Sequence, residues 1–386
     1  MPHRPLVILL LITSILGSSP PTFAAAQPPA GVQATGSPTT ASIAPGGGQL
    51  GLDNGALTVY ALQDLARPPL SLDVQAVDAR TVPAAQVGLS LGFAAFQLSA
   101  ATDDTERVIS NFNVPLTFVV KPGASDLALA LGQLQRLYLG SWNGSSWVAL
   151  PCSADIGTST LVCSTTQAGL FAPLVVLPTN PVLGRLDFEV AGGHFYTQGN
   201  GFGGGGRLGY AVVDDADAPM WSEFQRQGGV DRLGYPVTSR FLYAGVVTQA
   251  FQNGALQWVP EFGQAVFLNI LDELHAHGSD AWLDSIRRVP PPPPDGQPGD
   301  ADMLAPFPTL LATYEADPEL YGLPVSVRDY GQIGSARFQR SVLQVWQQDL
   351  PFAAAGTVIP GHAGELARAA GLWPVDAATP GAPPAS

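Results

Sequence analysis

The chain has 386 residues, a formal net charge of −14 at pH 7 and a single lysine, Lys121. An acidic chain of this kind offers no basic stripe to phosphate groups, so we expect no nucleic acid or anionic lipid partner. Hydrophobic residues make up 46% of the chain, which excludes a wholly disordered polymer, while 43 glycines and 36 prolines indicate many turns. The length predicts two or three domains.

Residues 1–26 have the layout of an export signal peptide. A short basic start is followed by an apolar stretch over residues 6–16 and by a small-residue cleavage region, Ala24–Ala26. No later segment approaches the ~20 apolar residues of a membrane-spanning helix. We therefore expect a secreted, extracellular protein without a transmembrane segment. Residues 27–48, rich in Pro, Ala, Ser, Thr and Gly, are predicted to form a flexible linker.

Residues 49–178 are predicted to form an antiparallel β-sandwich domain, because strand-length apolar or alternating runs are separated by turn residues. The Asn143-Gly144 dipeptide between two tryptophans predicts a hairpin, and we favour packing over sugar stacking for these tryptophans. Export permits a disulfide between Cys152 and Cys163. Two free buried thiols are the alternative, and two cysteines alone cannot form a structural zinc site.

Four segments of this domain carry a family resemblance: "LGLDNGALTVYAL", "FNVPLTFVV", "LYLGSWNGSSWVALP" and "TTQAGLFAPLV". Their order resembles secreted bacterial β-sandwich modules that are distantly related to the sandwich domains of netrin receptors and ankyrins and to autoproteolysis-inducing domains. The self-cleaving members carry a His followed by a Ser or Thr near the last strand. This chain has Gln167-Ala168-Gly169-Leu170 there, so self-cleavage is not expected.

Residues 184–288 contain an internal repeat. The tetrapeptide RLGY begins at Arg207 and again at Arg232, and a third, degenerate copy, "YGLPVSVRD", begins at Tyr321. The second and third copies also share a downstream Phe-Gln pair, at Phe251 and Phe338. Two copies of one supersecondary unit explain these matches, and such units bury their apolar faces by stacking on their neighbours. The expected fold class is mainly β with α+β: an N-terminal antiparallel β-sandwich followed by a repeat-bearing α+β region.

The remaining segments are predicted from local patterns. "MWSEFQRQGG", residues 220–229, is typical of a short helix ended by glycines, whereas "AVFLNILDELHAHG" is strand-like first and helix-like afterwards. Residues 289–302 are predicted to form a Pro-rich linker. Residues 303–374 are predicted to form a C-terminal repeat and helix module, followed by a disordered tail over residues 375–386.

The RLGYP segment and its surroundings resemble the LGFP-type repeats of secreted bacterial proteins. The longer segment "EFQRQGGVDRLGYPVTSRF", together with the C-terminal "LQVWQQDLPFAAAGTVIPGHAGELARAAGLWP", resembles a family of exported bacterial proteins of unassigned activity. The resemblance to LGFP-type repeats implies attachment to the cell wall, with a cell-wall polymer, a glycan or a surface protein as the partner. Ala211 replaces the motif's proline in the first copy and Leu323 its aromatic in the third. These departures weaken the expectation that all three copies bind one ligand.

The ligand-binding residues that we expect lie in the best-formed copy, because aromatic and arginine side chains are the usual anchors of recognition surfaces. They are Arg232, Tyr235, Arg240, Phe251 and Trp258. The alternative assigns the apolar members to the repeat core and the arginines to solvated turns.

Other motifs are weaker. The G-x-G-x-x-G match at 199–204 lacks a following helix, so no cofactor is expected. His275 and His277 lack a clear third ligand, and the acidic residues at 214–217 lack the glycine and closing glutamate of a calcium loop, so no metal is expected. Ser90, in G-x-S-x-G, is predicted to lie in a strand rather than at a nucleophile elbow. A secreted hydrolase that uses Ser90 or an acid/base pair is the alternative function to a non-catalytic binding protein.

Overall fold

The computed structural model describes residues 29–52, 55–62, 69–103, 107–155, 158–177, 186–350 and 353–384. The predicted signal peptide, 1–26, lies outside the described residues. The architecture is mainly β, with several antiparallel sheets and a few helices, so the predicted fold class is confirmed.

The N-terminal half is a sandwich of two antiparallel sheets. The first has the order β1-β4-β6-β12-β8-β9, with β5 also paired to β12, and the second has the order β10-β11-β7-β3-β2. The strands are β1 (Thr39–Ile43), β2 (Gly48–Gly51), β3 (Leu57–Ala61), β4 (Leu70–Asp78), β5 (Leu89–Leu91), β6 (Ala94–Thr102), β7 (Asn111–Val120), β8 (Leu137–Trp142), β9 (Trp147–Ala149), β10 (Cys152–Asp155), β11 (Thr160–Gln167) and β12 (Gly169–Val176). Helix α1 (Ala124–Leu129) and a 3-10 turn (Leu134–Arg136) connect β7 to β8.

The centre of the sandwich is an aromatic cluster that joins the two sheets. Phe118 from the second sheet meets Phe96 and Phe171 from the first, edge to face, with ring centroids 5.6 and 5.0 Å away. Such pairs add to the free energy that burial of the rings already supplies. At the edge of the second sheet, Cys152 and Cys163 stand opposite each other and form the predicted disulfide, which is confirmed.

The Asn143-Gly144 hairpin is also confirmed, since β8 and β9 pair from Trp142 to Trp147 on either side of it. Trp147 is buried, and its indole N–H donates to the Pro83 carbonyl at 2.9 Å, so this tryptophan serves packing.

Strand β1 differs from expectation, because it lies within the predicted linker 27–48 and pairs with β4. Only one of its five residues is buried, so the sequence lacks the alternation of apolar and polar residues that predicts a strand.

The C-terminal half contains three small antiparallel sheets and eight α-helices among its described residues. The first sheet is β13 (Asp187–Val190), β14 (Gly193–Tyr196) and β15 (Tyr210–Val213). Then follow α2 (Met220–Arg226), α3 (Gly229–Leu233), β16 (Phe241–Tyr243), β17 (Val246–Ala250), β18 (Ala255–Val259), β19 (Gln264–Phe267), α4 (Ile270–Ala276) and α5 (Asp280–Arg287). The last series is α6 (Pro308–Ala316), α7 (Pro318–Tyr321), β20 (Pro324–Asp329), β21 (Ile333–Phe338), β22 (Val342–Trp346), β23 (Val358–Pro360), α8 (Ala363–Ala369) and α9 (Val375–Ala378), and 3-10 turns occupy Gly205–Arg207 and Ala301–Leu304.

The last two series have the same order of elements: two helices, a four-stranded meander and two more helices. We call residues 220–287 the upstream unit and residues 308–378 the downstream unit. "AVFLNILDELHAHG" accordingly contains both β19 and α4, as its mixed pattern predicted.

Each unit turns from its second helix into its sheet at a glycine with the same unusual backbone. Gly234 has φ 74° and ψ −174°, and Gly322 has φ 73° and ψ −168°. Only glycine adopts this conformation readily. The amide oxygen of Gln252 accepts from the Tyr235 N–H at 3.0 Å, and Gln339 makes the same bond with Leu323 at 3.3 Å. In each copy, the Gly-x-Pro and Phe-Gln motifs are therefore joined by this hydrogen bond into one turn, which we call the locked turn.

The helix that follows the sheet of each unit contacts the other unit, and we call this reciprocal contact the helix exchange. The N–H of Leu271, in α4 of the upstream unit, donates to the Gln339 carbonyl of the downstream unit at 2.9 Å. The N–H of Gly364, in α8 of the downstream unit, donates to the Gln252 carbonyl of the upstream unit at 3.0 Å. Each unit therefore has its Phe-Gln turn covered by a helix from the other.

The residues that precede the exchanged helices strengthen this exchange. Arg340 Nε donates to Asn269 Oδ1 at 3.0 Å, and His362 Nδ1 lies 2.7 Å from Asn253 Oδ1. Asn269 and His362 are the N-cap residues of α4 and α8. The same positions of both units thus take part in the contact.

The glycine-rich loop at 199–206 is ordered and contacts the sandwich. The buried Asn200 amide donates to the carbonyls of Gly205 and Leu208, and its oxygen accepts from the Phe202 N–H. Phe202 is buried and packs on Tyr138 with ring centroids 5.7 Å apart. A 3-10 turn and strand β15 follow the loop, where the dinucleotide-binding motif has a helix.

Two segments that were predicted to be a linker and a disordered tail pack on the sheets. In the Pro-rich stretch, the Pro290 carbonyl accepts from Ser326 Oγ at 3.2 Å, and the Gly299 N–H donates to the Pro324 carbonyl. In the tail, Gly381 exchanges two backbone hydrogen bonds with Gly209. These extended segments are held by backbone hydrogen bonds to other parts of the chain. Such hydrogen bonds leave no apolar periodicity in the sequence, so the sequence did not predict them.

We expect Gly234→Ala to lower the free energy of unfolding by about 3 kcal/mol, because its backbone conformation excludes a side chain. The new Cβ would also lie 2.7 Å from Gln252 Cβ. Gly245→Ala is the matched control, since Gly245 has φ 82° with no atom within 4 Å of its Cβ position, and it should cost about 1 kcal/mol. Urea denaturation of both variants measures the difference. Equal losses would show that the locked turn adds nothing.

Candidate functional site

A cavity of about 500 Å³ lies between the upstream and downstream units. We call it the inter-unit cavity. Its upstream wall carries Asp231, Arg232 and Asn253, and its downstream wall carries Thr313, Asp317, Leu320, Tyr321, Ser341, Leu343, Val358 and Pro360. The volume is in the range of small-molecule sites, which combine an apolar lining with a few placed polar groups.

Arg232 joins the two walls of the inter-unit cavity. Its Nε donates to Asp317 Oδ2 at 2.6 Å and its Nη2 to Asp317 Oδ1 at 2.7 Å, a fork that suits the planar guanidinium. The Nη2 atom also lies 3.0 Å from Glu319 Oε2, and Nη1 donates to Gln227 Oε1 at 2.6 Å. The predicted ligand residue Arg232 thus has protein partners for each of its guanidinium nitrogens.

The same arginine lies over the ring of Phe267, with its guanidinium carbon 5.2 Å from the centroid. Arg340 of the downstream unit also lies over Phe267, at 5.6 Å. The Arg340–Phe267 contact crosses between the units and adds to their attraction, whereas the Arg232–Phe267 contact lies within the upstream unit. The wall of the cavity is therefore held in place by charge as well as by backbone hydrogen bonds.

The carboxylate of Asp317 stays ionised in this setting. Burial would raise its pKa, but hydrogen bonds from Arg232 and from the Leu320 N–H, together with the charge of Arg232, lower it below its ordinary value. A general acid needs a raised pKa near the working pH. Asp317 is thus suited to accepting hydrogen bonds and poorly suited to donating a proton.

Ser341 supplies a hydroxyl group that has no partner among the described residues. The residue is buried, and it lines the inter-unit cavity. A buried hydroxyl without a hydrogen bond costs about 1–3 kcal/mol, so this group calls for a partner, which an ordered water or a ligand can supply. The polar lining combines this hydroxyl with the Asp231 carboxylate, the Asn253 amide and the Thr313 hydroxyl. Neutral hydroxyl-rich ligands match this mixture of donors and acceptors.

The other predicted ligand residues lie away from this lining. Phe251 is fully buried and stacks on Phe224 with centroids 4.7 Å apart. Tyr235 is half-buried, 5.9 Å from Tyr196, and Trp258 is half-buried on β18. The structure therefore brings only Arg232, of the five predicted residues, to the inter-unit cavity.

Arg240 forms an ion pair with Asp215 in an acidic turn. The Asp215 carboxylate also accepts from the Asp217 and Ala218 N–H groups, and Asp214 accepts from Ser222 at the start of α2. Hydrogen bonding from Arg240, the largest contribution, lowers the pKa of Asp215 to about 2 against the effect of burial. These hydrogen bonds hold the acidic residues in a turn before α2.

Ser90, on which the hydrolase alternative depends, and the two histidines lie in separate parts of the fold. Ser90 lies in strand β5, and the hydrogen bond that its hydroxyl makes goes to the Leu91 carbonyl at 3.5 Å. His275 lies on α4 and pairs with Asp280 at 2.5 Å, while His277 contacts Ser279. Within the described ranges, no three His, Cys, Asp or Glu residues are grouped so that they could hold a metal ion.

Comparison with known proteins adds no family: no model of a protein family matches the chain, and a search of curated proteins finds no match. Within the part of the chain that the structure describes, no helix has the length and apolarity needed to cross a membrane.

Sequence reasoning missed Asn253, Thr313, Asp317 and Ser341. Asn253 directly follows the Phe-Gln pair of the upstream unit, and Ser341 lies two residues beyond that pair in the downstream unit. The repeat alignment therefore carried a signal for these positions. Thr313 and Asp317 belong to a helical segment with no motif, and only the packing of the two units brings them to the cavity.

We expect Arg232→Ala to lower the free energy of unfolding by about 2 kcal/mol, because it leaves the partly buried Asp317 without its counter-ion. The Arg80–Asp78 pair provides the control, since Arg80 is 89% exposed and Arg80→Ala should leave stability nearly unchanged. Urea denaturation at neutral pH measures both. A loss no larger than that of Arg80→Ala would contradict the role of Arg232 in joining the units.

The effect of Arg232→Ala should also depend on pH. The lowered pKa of Asp317 means that its ion pair contributes fully above the unfolded pKa of about 3.9. That contribution is lost as the pH falls through the folded value. The stability difference between the wild type and Arg232→Ala should therefore shrink between about pH 5 and pH 2. A difference that stays constant over this interval would show that the charge of Asp317 is not involved.

Proposed function

We propose that this is an exported, non-catalytic protein of the cell envelope or extracellular space that binds a hydroxyl-rich ligand, such as the glycan part of a cell-wall polymer. The observation that carries the proposal is the inter-unit cavity, with the buried, unpartnered Ser341 hydroxyl in its lining. Sugars offer many hydroxyl groups that both donate and accept. The carboxylate, amide and hydroxyl groups of the cavity match them.

The resemblance to LGFP-type repeats supports a wall polymer as the source of this glycan. The disulfide between Cys152 and Cys163 supports export, because disulfides persist in oxidising compartments. Partners of other kinds, such as a surface protein, are less well matched by a concave cavity of this size than by a flat exposed face. The net charge of −14 is consistent with a neutral rather than a polyanionic ligand.

The binding mode follows from the walls. Arg232 and Asp317 neutralise each other and hold the two walls of the cavity together. The carboxylate oxygens of Asp317 keep further lone pairs, which accept hydrogen bonds from ligand hydroxyls. Leu320, Leu343 and Tyr321 supply an apolar side to the cavity. Sugar rings have apolar faces as well as polar edges, and this lining matches both.

We expect Thr313→Trp to reduce the retention of the mature protein on insoluble cell-wall material about tenfold. The indole would fill the inter-unit cavity, because Thr313 lines it from helix α6. Ala312→Trp is the matched control, since Ala312 is exposed on the same helix and is not part of the lining. Co-sedimentation should show about tenfold less binding for Thr313→Trp and wild-type binding for Ala312→Trp.

A second variant separates binding from folding in the same experiment. Ser341→Ala removes a buried hydroxyl that has no protein partner, so stability should rise or stay unchanged while retention on the wall material falls. Absence of retention for the wild-type protein, or equal retention of wild type, Thr313→Trp and Ser341→Ala, would remove the basis of the proposal.

A further inference from the structure

A second cavity, of about 310 Å³, lies where the repeat region meets the sandwich. We call it the junction cavity. The sandwich contributes Tyr138 and Leu150, the last turn of α5 contributes Arg287, and α8 contributes Glu365 and Arg368. Gly361 and His362 also line it, directly after Pro360 of the inter-unit cavity. Neither unit nor sandwich forms this cavity alone.

Arg287 has no counter-ion among the described residues. Its Nη2 atom makes a long hydrogen bond to Ser164 Oγ, 3.4 Å, and its Nε atom is buried without a partner. The guanidinium lies over the Trp282 ring, 5.3 Å from the centroid. Burial lowers the pKa of Arg287, and the charge of Glu365 opposes that shift only in part. A guanidinium nevertheless keeps its proton in proteins, so this is a cation held without an anion.

Arg368 differs from Arg287 although both line the same cavity. Its Nη2 atom lies 2.6 Å from Glu365 Oε2, so it has a carboxylate of its own. Burial lowers the pKa of His362, against a smaller opposing effect of Glu365, which favours a neutral imidazole near pH 7. With Glu365 paired to Arg368 and His362 neutral, the cavity lining retains one uncompensated positive charge, on Arg287.

We propose that the junction cavity binds a small molecule that carries a single carboxylate, with Arg287 as the residue that anchors it. The planar fork of a guanidinium matches the two oxygens of a carboxylate. One carboxylate would neutralise the single uncompensated positive charge of the cavity lining. A phosphate dianion would leave an excess negative charge beside Glu365. Leu150, Pro151 and Leu366 provide an apolar lining for the body of the ligand. This inference uses a different cavity and does not depend on the proposed glycan site.

The test measures the thermal unfolding midpoint of the mature full-length protein as probe molecules are added. Sodium acetate and sodium glucuronate supply the carboxylate, glucose is the uncharged counterpart of glucuronate, and sodium phosphate is the competing anion. Sodium chloride is used to keep the ionic strength equal in all samples. Binding to the folded state raises the midpoint with ligand concentration. We expect a saturable rise with a carboxylate and none with glucose.

The variant that tests the anchor is Arg287→Gln, which should weaken carboxylate binding about tenfold or more because a charge-assisted fork is lost. Arg288→Gln is the matched control: it makes the same charge change at the next residue, which is exposed and contacts Tyr330 instead, and it should bind as the wild type does. Arg287→Lys keeps the charge but not the fork and should lose part of the affinity, which covers the case of a glutamine variant that does not fold.

Three results would overturn the inference. They are the absence of saturable stabilisation by both acetate and glucuronate, equal carboxylate binding by the wild type and Arg287→Gln, and tighter binding of phosphate than of either carboxylate. Retention on cell-wall material is measured separately through Thr313→Trp, so failure at one cavity is distinguishable from failure at the other.

Discussion

The repeat region depends on a reciprocal pair of backbone hydrogen bonds. Leu271 from the upstream unit donates to the Gln339 carbonyl, and Gly364 from the downstream unit donates to the Gln252 carbonyl. Each donor lies at the start of a helix that continues its own unit and covers the other. Repeat units of this size bury little apolar surface alone and are stabilised by their neighbours. Here the upstream and downstream units stabilise each other.

Both candidate sites follow from that exchange. The inter-unit cavity exists because two similar units face each other, and Arg232 with Asp317 fixes the distance between its walls. The junction cavity exists because α8, which packs on the upstream unit, also contacts strand β11 of the sandwich. His362, the N-cap residue of α8, bonds to Asn253 of the first cavity and lines the second. The two cavities therefore share one short segment of the chain.

The sequence predicted the features that local pattern controls. Alternating strands predicted the sandwich, and Gly234 matched Gly322 because both need a backbone that only glycine adopts readily. It could not predict β1, which buries one residue, or the ordered loop around Asn200. Arg232 was selected as a ligand anchor, yet its partner is Asp317, 85 residues later, and no local pattern reveals such a pairing. Cavities built from distant segments are the part that requires a structure.

Native-state hydrogen exchange of the Leu271 and Gly364 amides tests the central claim, that the two units form one reciprocally closed body. Gly364→Ala would place a Cβ 1.8 Å from the Phe251 carbonyl and so disrupt only the contact of α8. The account predicts that the Leu271 amide, in the other half of the exchange, also loses its protection. Faster exchange near residue 364 with unchanged protection at Leu271 would contradict it, because the two contacts would then be independent.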